Sequence, residues 1–145
     1  MHAAILAPAA VLVLWTMVML GWLAFARLPA LAKLGGLGQA RPGGRGQDLE
    51  GVLPPQINWK SHNYTHLTEQ PVLFYAVVMI LAEMGPTRPD VVLAWGYVAV
   101  RIVHSLWQAL VNRVPVRFAL FSLGSALLLA LAIRAAASTF AAIGS

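Results

Sequence analysis

His62, His66 and Glu69 stand four and three residues apart in "KSHNYTHLTEQPVLFYAVVMILAEM", the stretch from Lys60 to Met84. That spacing puts all three on one face of a helix, with Ser61 and Thr65 beside them. A second set, Arg101, His104, Ser105, Gln108 and Asn112, repeats the helical spacing forty residues later. Imidazole, carboxylate and guanidinium groups gathered on helix faces serve ion pairing, hydrogen bonding or metal binding. Both sets sit on otherwise apolar segments, so the first question is what solvent surrounds them.

The composition answers it. Of 145 residues, 59% are hydrophobic and 10% charged, and the mean hydropathy is +0.73. A soluble domain carries about a quarter charged residues, so at least part of this surface must meet lipid. No cysteine is present, which excludes disulfides, thiolate metal sites and a thiol nucleophile on the protein. The net charge of +5 comes from basic residues at helix ends and in one loop, a pattern that suits anionic headgroups rather than nucleic acid.

Crossing a bilayer takes about 20 apolar residues, and four segments qualify: about residues 3–26, 59–84, 91–111 and 115–137. The first has no basic leader and is too long for the h-region of a signal peptide, so it reads as a retained helix. "GPTRPD" and "NRVP" are short links that make their flanking helices antiparallel. The expected fold is therefore all-α, a single integral membrane domain built as a four-helix up-and-down bundle. The one long connection, about residues 28–58, carries "LGGLGQARPGGRGQDLEG". Its glycines lack the Gly-Lys-Ser/Thr ending of a phosphate loop. Arg27, Lys33, Arg41, Arg45, Lys60, Arg113 and Arg117 gather on that side, against Arg88 and Arg134 on the other. The positive-inside rule then places the loop in the cytoplasm and both termini outside, in what a bacterial chain would have as its inner membrane.

Depth relates the two polar sets. Glu69 lies ten residues in from Trp59, and Arg101 ten in from Val111; at the α-helical rise both are about 15 Å deep. His66 pairs in depth with His104, and His62 with Gln108. A charge left unpaired in mid-bilayer costs about 2.5–3.5 kcal/mol on the most lenient scale. Glu69 and Arg101 are accordingly expected to face each other or a wet cavity open to the cytoplasm. Three readings stay open: a structural ion pair with histidine hydrogen bonds, a ligand site, or a metal site built from His62, His66, Glu69 and His104. Arg101 would repel a cation, which weakens the last. Asn63 begins an Asn-Tyr-Thr sequon on the side opposite to glycosylation. Ala119, Ser122, Ala126 and Ala130 form a small-residue track, a packing seam within the chain or between subunits.

"HLTEQPVLFYA", "RIVHSL" and "NRVPVRF", in that order and spacing, resemble the MAPEG family, the membrane-associated proteins in eicosanoid and glutathione metabolism. The resemblance covers about residues 58–133. It implies a homotrimer of four-helix protomers, embedded in membrane lipid, with glutathione bound as co-substrate near the cytoplasmic face and a lipophilic small molecule as its reaction partner. Carried over by position, Glu69 would hold the glutathione amino end or brace the site. Arg101 and His104 match the third helix's arginine and polar residue. Arg113 to Arg117 resemble an Arg-x-Pro-x-Arg segment, and Arg117 would stabilise the thiolate in catalysis. His62, His66 and Gln108 complete the implied ligand set. No resident metal is implied. Five positions depart from the family pattern: His66 replaces an asparagine, His62 and Thr65 stand where basic residues are usual, Gln108 replaces a tyrosine, and Phe118 replaces a serine.

Overall fold

A computed structural model describes residues 2–39 and 42–144; Arg41, one of the basic residues of the long connection, lies outside them. Four helices account for most of the chain: α1 (His2–Ala32), α2 (Pro55–Met84), α3 (Arg88–Leu110) and α4 (Val114–Ile143). Two 3₁₀ turns, Leu37–Gln39 and Gly46–Leu49, interrupt the connection between α1 and α2. That connection is shorter than the sequence suggests, because α1 runs on through Arg27 to Ala32 and α2 starts four residues before Trp59.

Local chemistry sets the helix ends. Pro55, Pro89 and Pro115 occupy first-turn positions of α2, α3 and α4, where a missing N–H removes no helical bond. Gly85 closes α2 with φ of 85°. At the end of α3, Trp107 O accepts from both Val111 N at 2.9 Å and Asn112 N at 2.7 Å. Asn112 takes a φ of 54° there, the one left-handed non-glycine among the described residues. At the start of α3, Asp90 accepts from the Thr87 amide at 2.7 Å and the Thr87 hydroxyl at 2.6 Å. Arg134 of α4 pairs with the same carboxylate and donates to Thr87 Oγ1 at 2.8 Å. This clamp ties α4 to the α2–α3 turn at the end of the bundle remote from the long connection.

Helix α2 packs on all three others, and α1 and α4 flank the α2–α3 pair. The core between them holds Ile5, Leu12, Leu67, Phe74, Val78, Tyr97, Val98 and Leu131, with Phe74 and Tyr97 stacked at 4.5 Å between ring centroids. The outside is greasy: Phe25, Phe140 and Val92 are 82%, 71% and 70% exposed. Exposed apolar surface of that extent belongs in lipid. α1, α2 and α4 are long and apolar enough to cross a membrane. α3 has the length but not the composition, since its inner face spends Arg101, His104, Ser105 and Gln108 on the protein interior. The small-residue track on α4 does not pack within the chain. The buried positions of α4 are instead Gly124, Leu128, Leu131 and Ala135, and Gly124 lets α3 approach: a Cβ there would meet Val100 Cγ1 at 3.6 Å and Arg101 Cδ at 3.8 Å.

Candidate functional site

The two polar sets of the sequence meet different surroundings. On α3, Arg101, His104, Ser105 and Gln108 are all 2% exposed or less. On α2 the residues that pack inward are Asn63, Leu67, Pro71, Phe74 and Val78. Glu69 follows Leu67 by two positions, about 200° around the helix, so it points away from α3. Its side chain is 60% exposed, with Oε2 at 3.9 Å from His66 Nδ1. Arg101 therefore does not pair with Glu69. Its Nη2 donates to the main-chain carbonyl of His66 at 2.6 Å, and its Nε and Nη1 are buried without a partner. The direct Glu69–Arg101 pair is therefore not formed, because the two side chains leave their helices in different directions.

What α2 faces with its polar stripe is a cavity of about 610 Å³. Ser61, His62, Thr65, His66 and Glu69 line it from α2, Gln108 from α3 and Arg117 from α4. α1 adds Arg27, and the connection adds Gln47 and Glu50. Of the expected pair, Glu69 lines this cavity at the loop end of the bundle and Arg101 does not. Its charges are mixed: two guanidinium groups, two carboxylates and two imidazoles line one space.

Several contacts hold this space in shape. His62 Nε2 meets Glu50 Oε1 across the cavity's rim. Arg27 Nη2 donates to Gly46 O at 3.4 Å, and a Cβ on Gly46 would lie 2.9 Å from Arg27 Nη1, so a larger residue there would make the guanidinium shift. Asn58, 2% exposed, donates to Leu49 O at 3.1 Å and Leu53 O at 3.4 Å and fastens the loop to α2. Arg117 Nη1 donates to Asn112 Oδ1 at 2.7 Å, which fixes the guanidinium at the cavity wall. Gln108 Oε1 is buried without a partner.

Arg113 is not brought to the cavity. It caps α4 with its main chain, its carbonyl accepting from Arg117 N at 3.1 Å and Trp107 Nε1 at 3.3 Å. The proposed metal set does not converge either. Among the described residues no three His, Asp or Glu side chains are grouped to hold a metal ion; His62 is taken by Glu50, and His104 lies beneath His66. Asn63 is 1% exposed, in a helix packed on its neighbour, so the sequon has no glycosylation surface. Sequence reasoning missed Arg27, Glu50 and Asn112 as parts of the site. Arg27 read only as a loop-side basic charge and Glu50 was not singled out; α1 carries the first to the cavity and the connection the second. Asn112 followed the helical spacing, but its left-handed turn was invisible.

Beside the cavity lies a smaller chamber of about 190 Å³, lined by His66, His104, Val114, Arg117, Phe118 and Phe121. His66 and Arg117 border both spaces.

A helical bundle with a lipid-compatible exterior, three helices long and apolar enough to cross a membrane and a charged cavity at one end is an integral membrane protein. The chain belongs to the MAPEG family, whose model matches residues 5–137. Nothing among curated proteins or solved structures matches it.

Proposed function

We propose that the protein binds glutathione in the 610 Å³ cavity and uses it, as a transferase or peroxidase, on a lipophilic substrate. The observation that carries this reading is the charge set of that one space. Glutathione has two carboxylates, an amine and a thiol. Arg27 and Arg117 suit its carboxylates or thiolate, and Glu50 and Glu69 suit its amine. A free thiol ionises near 8.5, and a neighbouring guanidinium favours the nucleophilic thiolate near neutrality. Arg117, held by Asn112 and bordering both spaces, is the residue placed for that role. The volume lies within the range of about 300–1,000 Å³ common to small-molecule sites. In this reading the protomers form a homotrimer in a bacterial inner membrane. The basic bias of the loop end supports a cytoplasmic cavity with both termini outside.

Calorimetric titration of the detergent-purified protein with glutathione tests it. Saturable binding that Arg117→Ala weakens, with loss of thiolate absorbance, is the expected result. No binding at millimolar glutathione would overturn it.

A second reading rests on Arg101. A buried guanidinium bonded to the His66 carbonyl fastens α2 to α3, so the α3 polar face also serves assembly, with or without turnover. Arg101→Met would then loosen the bundle even where no ligand is bound.

A further inference from the structure

The smaller chamber has a character of its own. Phe118 and Phe121 from α4 and the rings of His66 and His104 surround it with Val114 and Arg117. His66 and His104 lie 5.6 Å apart between ring centroids. Phe121 stands edge-on to His66 at 6.0 Å and 79° and contacts His104 at 6.5 Å. The volume of about 190 Å³ is close to that of an apolar cavity of about 150 Å³ that accepts one benzene ring. Phe118 and Val114 are 69% and 60% exposed, so the chamber opens to the apolar outside, where a membrane-dissolved molecule arrives. Two ring nitrogens of its lining are buried without a hydrogen-bond partner: His66 Nδ1, which has Glu69 Oε2 3.9 Å away, and Nε2 of His104, a residue 2% exposed. A neutral imidazole protonated at Nε2 is a hydrogen-bond donor, and a buried donor left alone is costly. A ligand acceptor would satisfy it.

We infer that this chamber binds a ring-sized conjugated carbonyl, a cyclic enone or quinone, with its carbonyl oxygen accepting from His104 Nε2. Aromatic walls suit a flat ring, the size admits one ring, and His104 Nε2, the unpartnered nitrogen away from the Glu69 carboxylate, suits one oxygen. The inference deepens the glutathione reading and rests on it for the reaction, though not for the binding. With the thiolate held at Arg117, its sulfur adds to the β-carbon of the enone. The S–C bond forms, the C=C pair shifts toward the carbonyl, and the oxygen gains the charge that His104 stabilises by its hydrogen bond. The enolate then takes at its α-carbon the proton that the thiol gave up. The product is the thioether ketone, and no oxidant or reductant enters. Losing a preorganised donor to such an oxyanion lowers kcat about a hundredfold or more.

Two measurements on the full-length protein in detergent test the inference, with 2-cyclohexen-1-one as probe. Saturation-transfer NMR without glutathione reads binding. The expected signal is lost in Phe121→Trp, which fills the chamber. Glutathione-dependent consumption of the enone reads catalysis. It is expected to fall about a hundredfold in His104→Leu and to stay within about tenfold of wild type in His104→Gln, which keeps a donor. Conjugation of 1-chloro-2,4-dinitrobenzene, which has no carbonyl, should lose far less in His104→Leu than the enone does. Enone binding that survives Phe121→Trp, or wild-type enone turnover in His104→Leu, would overturn the assignment. If glutathione binds and conjugates the aryl halide while the enone neither binds nor reacts, the chamber assignment fails alone. If the enone binds in a Phe121-sensitive way and glutathione does not bind, the chamber stands and the glutathione reading fails.

Discussion

Asn112 Oδ1 accepts a 2.7 Å hydrogen bond from Arg117 Nη1, and Asn112 makes that bond from a left-handed backbone with φ of 54°. The turn that ends α3 thus holds the guanidinium at the wall between the two cavities. Asparagine is among the few non-glycine residues that adopt this backbone readily, and it brings an acceptor with it. The two roles separate by mutation. Asn112→Ala should lower stability by about 1–2 kcal/mol through backbone strain and also free Arg117. Asn112→Gly should keep wild-type stability in thermal melts and still reduce thiolate absorbance of bound glutathione. A glycine variant with an unchanged thiolate signal would mean that Arg117 needs no such support.

Arg101 and Glu69 should behave as independent residues. Glu69 is mostly exposed, so Glu69→Gln is expected to change stability by less than about 0.5 kcal/mol. Arg101→Met removes a bond to a buried carbonyl and should cost about 1–3 kcal/mol. The double variant should equal the sum within about 0.5 kcal/mol. Rescue of one change by the other in denaturation experiments would show a direct pair that the geometry does not contain.

The contrast shows how far the sequence reaches. Hydropathy marks α1, α2 and α4 because lipid solvation acts on averages over whole segments, which a sequence displays, while the proline-bearing links on either side delimit the more polar α3. Residue spacing gave the stripe of His62, His66 and Glu69, because helical faces follow from a fixed angle per residue. Rotation of α2 about its axis depends on how Leu67, Phe74 and Val78 fit their neighbours, and no count along the chain encodes that. Arg27 belongs to the cavity because α1 runs on past its expected end, and Glu50 because a glycine-rich loop folds back over α2. Gly46 permits that approach, but glycine in a loop has many possible reasons.

The clamp of Thr87, Asp90 and Arg134 should matter for stability and not for the ligand. Asp90 is 3% exposed at its side chain while Arg134 is 39% exposed, so solvent screens one partner and not the other. Arg134→Met leaves a buried carboxylate with only its Thr87 bonds. A loss of about 1–3 kcal/mol is expected, below the 3–5 typical of fully buried pairs. Asp90→Asn combined with Arg134→Met should recover part of it. Glutathione affinity should stay unchanged in both variants, because the clamp lies at the far end of the bundle from the cavity.

The loop over the cavity is fastened in two ways, and magnitudes decide which dominates. The His62–Glu50 contact lies between side chains 43% and 49% exposed, and exposed pairs contribute about 0.2–1 kcal/mol. Asn58 is buried and donates to two carbonyls of the loop, Leu49 and Leu53. At about 0.5–1.5 kcal/mol for each net hydrogen bond, its anchor is worth more than the rim contact. Amide hydrogen exchange over residues 46–53 reads the difference, because loop opening limits exchange there. His62→Ala should raise exchange by less than about fivefold, and Asn58→Ala by about tenfold or more, with the α2–α3 core unaffected in both. The opposite order would make the exposed histidine–glutamate contact the true latch. Access to the cavity would then depend on His62 rather than on the buried asparagine beneath it.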